Sequence, residues 1–240
     1  GKSTFIRTIF GVQQPLQGNI FLNGTSVVSL QRSARAKLIA YVPSEQMRIP
    51  NLFIRDFVAL ARYPHLAWPK ILTVKDRELV DEAIDMVGIG HLANKDMTAI
   101  SDGERQRAMI AFALAQDSQI ILLDEPTAYL DLPIKFEVVR LLSTLAVQKN
   151  KTVIYSTHDL QGAISEVDTI WMLLEQGFVS GAPEDIALNN HFQQMLGDSS
   201  MVFDRETGAF KSHKPLKQSI SLLGTGEVHF WTKRMLERLG

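Results

Sequence analysis

The hydrophobic pattern along the chain changes period several times. From Ser3 to Gly11, the apolar side of Thr4, Phe5, Ile6, Ile9 and Phe10 gives a helix one buried face, and Gly11 is a natural stop. Ile20-Phe21-Leu22 reads as a strand closed by an Asn23-Gly24 turn, and Leu38 to Val42 as a second strand ended by Pro43. From Leu52 to Phe112 the pattern is mostly helical; Leu79, Val80, Ala83, Ile84 and Val87 predict a helix over Asp76 to Val87. Strands then return. Ile120 to Leu123 has no polar member, as expected of a strand covered on both faces of a parallel sheet. Pro133 to Gln148 reads as a long amphipathic helix, and Thr152 to Ser156 and Thr169 to Leu174 as further strands.

This order of strands and helices predicts an α/β domain with a mainly parallel sheet, interrupted by a helical subdomain at about 46–116. The end of the chain differs. Met201 to Phe203 and Ala209 to Lys211 flank a hairpin turn, Ser219 to Leu223 is a strand candidate, and Val228 to Leu239 reads as an amphipathic helix. The expected division is a domain over 1–198 and a small α+β appendage over 199–240. The stripe Phe230, Trp231, Met235, Leu236 and Leu239 is expected to serve core packing or a dimer contact.

Composition narrows the function. The chain has 240 residues, 45% hydrophobic and 21% charged, enough for a real core. A net charge of −1 argues against a nucleic-acid partner. With no cysteine, disulfides and thiolate metal sites are excluded, and the six histidines show no zinc-type spacing. No apolar run approaches the roughly 20 residues that span a bilayer, and no signal peptide is evident.

Candidate chemistry sits in short motifs. Gly1-Lys2-Ser3-Thr4 matches the last turn of a phosphate-binding P-loop, whose first half and preceding strand are expected to lie outside the chain. Gly1 lets backbone approach a phosphate, and the following N–H groups open a helix whose dipole favours anions. Lys2 would reach the terminal phosphates, Ser3 would ligate Mg2+, and Thr4 would add a phosphate contact. Asp124-Glu125 ends an apolar strand, at the edge where open α/β sheets bind ligands. There Asp124 would hold Mg2+ and Glu125 would serve as general base. Two acids capping a strand before Pro126 is the bland alternative, weakened by the upstream motif. His158 follows the next strand, beside Thr157 and Asp159, and would contact the terminal phosphate or fix the geometry of Glu125 and its water.

Together these residues resemble the ATP-binding subunit of ABC transporters. Ile100-Ser101-Asp102-Gly103-Glu104 stands where that family carries its L-S-G-G-Q signature, and Arg105-Gln106-Arg107 follows. Ala128-Tyr129-Leu130-Asp131 matches the D-loop, His158 the switch histidine, and Gly18 to Gly24 the G-x-I-x-x-N-G turn. The resemblance covers Gly1 to Ile186. It implies a P-loop NTPase fold of ABC type, ATP and Mg2+ as cofactors, and two copies closed head to tail around two ATP molecules. Each site would combine Lys2, Ser3, Asp124, Glu125 and His158 of one copy with Ser101 and Gly103 of the other. Glu104 and Asp131 are implied to lie at the nucleotide as well. Further implications are an integral membrane permease, an indirect substrate-binding protein, and a peripheral place on the cytoplasmic face of the inner membrane. Arg55 to Leu60 and Arg62-Tyr63-Pro64-His65 resemble the subgroup that imports iron-siderophores, haem and cobalamin.

The sequence departs from the family in three places. Ser44 stands after Tyr41-Val42-Pro43 where the Q-loop glutamine belongs, leaving Gln46 or Glu45 as substitutes. Asp102 replaces a glycine and would repel phosphate unless it points away or pairs with Arg105, and Glu104 replaces the glutamine. The aromatic residue that stacks on adenine in that family is expected to lie outside the chain with the first half of the P-loop, and a chain with half a P-loop is expected to be inactive by itself. Two rival readings remain: a soluble ABC ATPase without a permease, and a nucleotide-binding regulator that has lost turnover.

Overall fold

The computed structural model describes residues 1–175, 177–212 and 220–239. These pack as two compact units, Gly1–Glu166 and Val167–Gly240, the break falling ahead of the expected 198/199 boundary.

The first unit is built on a three-stranded parallel sheet, Ile39–Val42, Ile120–Leu123 and Thr152–Tyr155, with the middle strand in sequence also central in space. The register is flush: Val42 lies opposite Leu123, and Leu123 opposite Tyr155, so all three strands end at one level. Side chains alternate across the sheet. Ile39, Tyr41, Ile120, Leu122 and Ile154 meet Ile6, Ile9 and Phe10 of the helix Lys2–Phe10, with the Phe10 and Tyr41 rings stacked at 5.1 Å. Ala40, Val42, Ile121, Leu123, Val153 and Tyr155 face the opposite way, onto Val138, Leu142 and Leu145 of the helix Leu132–Gln148 and onto the helices of residues 54–115. Both faces are dry, which is why the Ile120–Leu123 strand carries no polar residue.

Expected and observed bounds agree for most of this unit. Gly11 ends the first helix in the left-handed region at φ 78, as a C-cap glycine does. Asn23 and Gly24, at φ 50 and 78, close the hairpin of Phe21–Leu22 and Thr25–Ser26. Leu38 instead ends a short helix, Arg32–Leu38, and the strand begins at Ile39.

The helical stretch comprises Ile54–Ala59, a 3-10 segment Leu60–His65, Val74–Met86 and Asp102–Ala115, and it shares one core with the sheet face. Arg62 locks it together: its Nε donates to Asp76 Oδ1 at 2.9 Å and its Nη1 to the carbonyl of Ala115 at 2.8 Å, all buried. Asp76 also completes the capping box with Thr73. The Thr73 hydroxyl foremost, then the Thr73 N–H and Arg62, hold the Asp76 carboxyl below its ordinary range against the opposing effect of burial. A depressed carboxyl stabilises the fold at neutral pH and loses that contribution as pH falls through its folded pKa. Asp76→Ala is expected to cost about 3–5 kcal/mol at pH 7, because Arg62 is left buried and unpaired. Urea denaturation at pH 7 and again below pH 4 checks this: the difference between parent and variant should shrink in acid.

In the second unit, Ile170–Leu174 does not extend a parallel sheet. It pairs antiparallel with Gly177–Gly181. Its alternation of buried Ile170 and Met172 with exposed Trp171 and Leu173 suits a sheet covered on one face. The expected hairpin is present as Met201–Asp204 and Ala209–Ser212, packed through the rings of Phe192, Phe203 and Phe210. The closing helix spans Gly226–Leu239, while 220–223 carry no regular structure; Ser219 of that strand candidate lies outside the described residues. No described helix is long and apolar enough to cross a membrane.

Candidate nucleotide site

The flush carboxyl ends of the three strands set the site. One residue past the central strand, the Asp124 N–H donates to the carbonyl of Val42 at 2.9 Å; the Ser156 N–H donates to that of Leu123 at 3.0 Å. The sheet ladder therefore places both residues rigidly. Asp124 is fully buried, and its Oδ1 accepts from the hydroxyls of Ser3 at 3.0 Å and Ser156 at 2.8 Å. Its Oδ2 is buried with no hydrogen-bond partner. An unpaired buried carboxylate oxygen is costly unless a cation or donor completes it. With the Ser3 hydroxyl alongside, this donor set of hard oxygens fits Mg2+.

Glu125 turns out of the strand through a left-handed backbone, φ 51, a conformation rare for a side-chain-bearing residue and tied down by its N–H donating to Ser156 Oγ at 2.9 Å. Its Oε1 lies 2.8 Å from His158 Nε2. Lys2 Nζ lies 3.0 Å from Nδ1 and 3.1 Å from Nε2 of the same ring. Gly1 caps the helix Lys2–Phe10, and the first intrahelical bond runs from the Phe5 N–H to the Gly1 carbonyl at 2.9 Å. The N–H groups of Lys2, Ser3 and Thr4 thus precede the intrahelical ladder, at the positive end of the dipole. Gly1 and Thr4 are exposed there.

The remaining candidates form a second group. Ser101 caps the helix Asp102–Ala115 in a full capping box, its hydroxyl and N–H both donating to Glu104 Oε2. Those two donors, the N–H first, hold the Glu104 carboxyl below its ordinary range. A Cβ on Gly103 would lie 3.0 Å from Ile134 Cδ1, so glycine lets this helix approach the one that Asp131 caps through the Ile134 N–H. Asp102, which would repel phosphate if unpaired, is paired with both Arg105 and Arg48. Gln46 is turned toward this group: its Oε1 accepts from Arg105 Nη1 at 3.1 Å. Among the described residues no hydrogen bond joins it to Asp124 or Lys2.

Two residues escaped the sequence reading. Ser156 bridges Asp124 and the Glu125 N–H, and its only signal was its position directly after an apolar strand. Arg48 carried no signal. The segment Arg62-Tyr63-Pro64-His65 is partly turned inward. Arg62 is buried, and His65 Nε2 bonds the Gln116 carbonyl at 2.8 Å, with burial lowering its pKa. Tyr63 remains exposed.

The sequence model of the ABC transporter family matches residues 1–128, a span that includes Lys2, Ser3, the signature, Asp124 and Glu125. The chain belongs to the ABC transporter family. Over 187 residues it is 37% identical to the petrobactin import ATP-binding protein FpuD of Bacillus anthracis, covering 78% of this chain and 68% of that protein. Among solved structures it is similar to a metal-chelate type ABC transporter in an inward-facing conformation, with TM-score 0.68, 27% identity, and 88% and 79% of the two chains covered. It is also similar to a dimeric ATP-binding cassette in a post-hydrolysis state bound to ADP and Pi, with TM-score 0.61, 27% identity, and 70% and 74% covered. The α/β fold of ABC type, with helices flanking a parallel sheet, therefore stands, and the chain is an ATPase of this family. His158 lies beyond the matched span and reaches the family's carboxylates only through the fold.

Proposed function

We propose that this chain is the ATP-hydrolysing subunit that energises import of a metal chelate, of the iron-siderophore, haem or cobalamin class, through a membrane permease. The observation that carries the reading is the buried, unpartnered Asp124 Oδ2 beside Ser3 and a helix N-terminus. Similarity to a petrobactin import protein and to a metal-chelate type transporter supports the substrate class.

The chemistry follows from the side chains. Ser3 and Asp124 would hold Mg2+, which supplies positive charge against the phosphates of ATP. Lys2 leaves His158 for the terminal phosphates, and the N–H groups of Lys2, Ser3 and Thr4 add hydrogen bonds to them. Glu125 accepts the proton of the attacking water as its oxygen bonds the terminal phosphorus and ADP leaves; His158 holds the Glu125 carboxylate in line through Nε2. In a head-to-tail homodimer, Ser101 and Gly103 of the second copy close over the nucleotide, with Glu104 and Asp131 at its edge, and closure excludes water. The dimeric cassette bound to ADP and Pi supports that arrangement. Such a subunit sits on the cytoplasmic face of the membrane, peripheral to its permease, and meets a substrate-binding protein only indirectly. The pairing of Asp102 removes one motive for reading the chain as a silent regulator.

The test is Mg2+-dependent ATP hydrolysis by the full-length protein assembled with its permease. Asp124→Asn is expected to raise the Mg2+ concentration for half-maximal rate by about tenfold or more and to lower the maximal rate. An unchanged Mg2+ dependence would remove Asp124 from the metal site.

A further inference from the structure

The signature helix opens with a carboxylate where the family reading brings in a phosphate, and two arginines cancel it. Asp102 is the first residue of the helix Asp102–Ala115, and its side chain is 45% exposed. Its Oδ1 accepts from Arg48 Nη2 at 2.9 Å and from Arg105 Nη1. The two cations do different work. Arg105 is buried, and its guanidinium also donates to the Met97 carbonyl at 3.1 Å, the Ile100 carbonyl at 2.7 Å and Gln46 Oε1 at 3.1 Å. It therefore belongs to the structure of the turn. Arg48 is 63% exposed on the segment after Pro43, and among the described residues Asp102 is its one hydrogen-bonding partner. Glu104 adds a second carboxylate to the same first turn, already engaged by Ser101. Without Arg48, two acids would face an incoming polyanion with only Arg105 to balance them.

We propose that Arg48 is a positioning residue for the nucleotide sandwich: paired to Asp102, it neutralises the signature so that a second copy's ATP can dock there. The inference rests on the head-to-tail reading above. Like charges a few ångströms apart in a closing, partly dry interface repel strongly, and pairing one of them removes most of that cost. The pair performs, with two charged residues, what an uncharged residue at 102 would perform alone.

The experiment reads ATP-driven dimer formation of the full-length protein by light scattering, in an E125Q background so that binding is seen without turnover. R48A is expected to raise the ATP concentration for half-maximal dimer by about tenfold or more, and R48K, which keeps the charge, by much less. In R48A/D102N the repelling carboxylate is gone, and the half-maximal concentration should return to within about threefold of D102N alone. In steady state, with Glu125 intact, R48A should raise KM for ATP far more than it lowers kcat. A purely structural role for Arg48 would give a loss that D102N cannot rescue; that result, or no effect of R48A, overturns the proposal. If the E125Q protein with Arg48 intact forms no dimer in ATP, the head-to-tail reading falls and this inference falls with it. A dimer that forms equally well with R48A sinks the inference alone.

Discussion

Glu125→Gln is expected to lower ATP turnover by about 10²–10⁴-fold while nucleotide binding persists. The geometry separates these two effects. The left-handed turn at Glu125 is secured by its backbone N–H on Ser156 Oγ, a bond the side chain does not make. An amide of nearly the same shape therefore keeps the turn, and its oxygen keeps the contact with His158 Nε2. Lys2, Ser3 and Asp124 are untouched, so the groups that would hold ATP and Mg2+ remain. What disappears is the carboxylate proposed to take the proton of the attacking water. The variant should bind ATP, form a dimer by size-exclusion chromatography in its presence, and release phosphate at the background rate. Parental phosphate release by the variant would show that the proton goes elsewhere, and His158 would be the next residue to test.

Arg105→Ala is expected to destabilise the first unit by about 3–5 kcal/mol, the largest loss from any single change in the signature region. Its buried guanidinium holds the carbonyls of Met97 and Ile100, the Gln46 side chain and Asp102 at once. Truncation leaves buried acceptors without donors and a cavity in their midst. Arg105→Lys should recover only part of the loss, because one ammonium cannot span a fork that reaches four partners. Urea denaturation monitored by circular dichroism measures both. A loss below about 1 kcal/mol for the alanine variant would mean that water replaces the guanidinium, and that the turn before the signature is set by the Ser101–Glu104 capping box alone.

Much of the fold is legible in local pattern. The apolar run Ile120–Leu123, the caps at Gly11, Thr73 and Ser101, and the Asn23-Gly24 turn each carry their meaning within a few residues, because strand burial and helix capping are short-range effects. The order of the motifs likewise predicts one cluster, and the fold brings Lys2, Ser3, Asp124, Glu125 and His158 together. Where local pattern is shared by two architectures it misleads: Ile170–Leu174 reads as one more parallel strand and is half of an antiparallel hairpin. Strand propensity does not specify a partner.

Other features exist only once the sheet is assembled. Ser156 shows in sequence only its place at the end of a strand; it lies against Asp124 because adjacent parallel strands end in register, which puts the first residues after them side by side. Arg48 meets Asp102 because the segment leaving one strand crosses the start of a helix distant in sequence. Arg62 and His65, in the segment that resembles the importer subgroup, turn inward to Asp76 and to the carbonyls of Ala115 and Gln116. The chain by itself determined most of the elements and the order of the motifs, since periodicity, capping and motif spacing act over a few residues. The tertiary structure decided which charges neutralise one another and which carboxylate oxygen is left buried and unpaired, since those depend on distances that only packing sets.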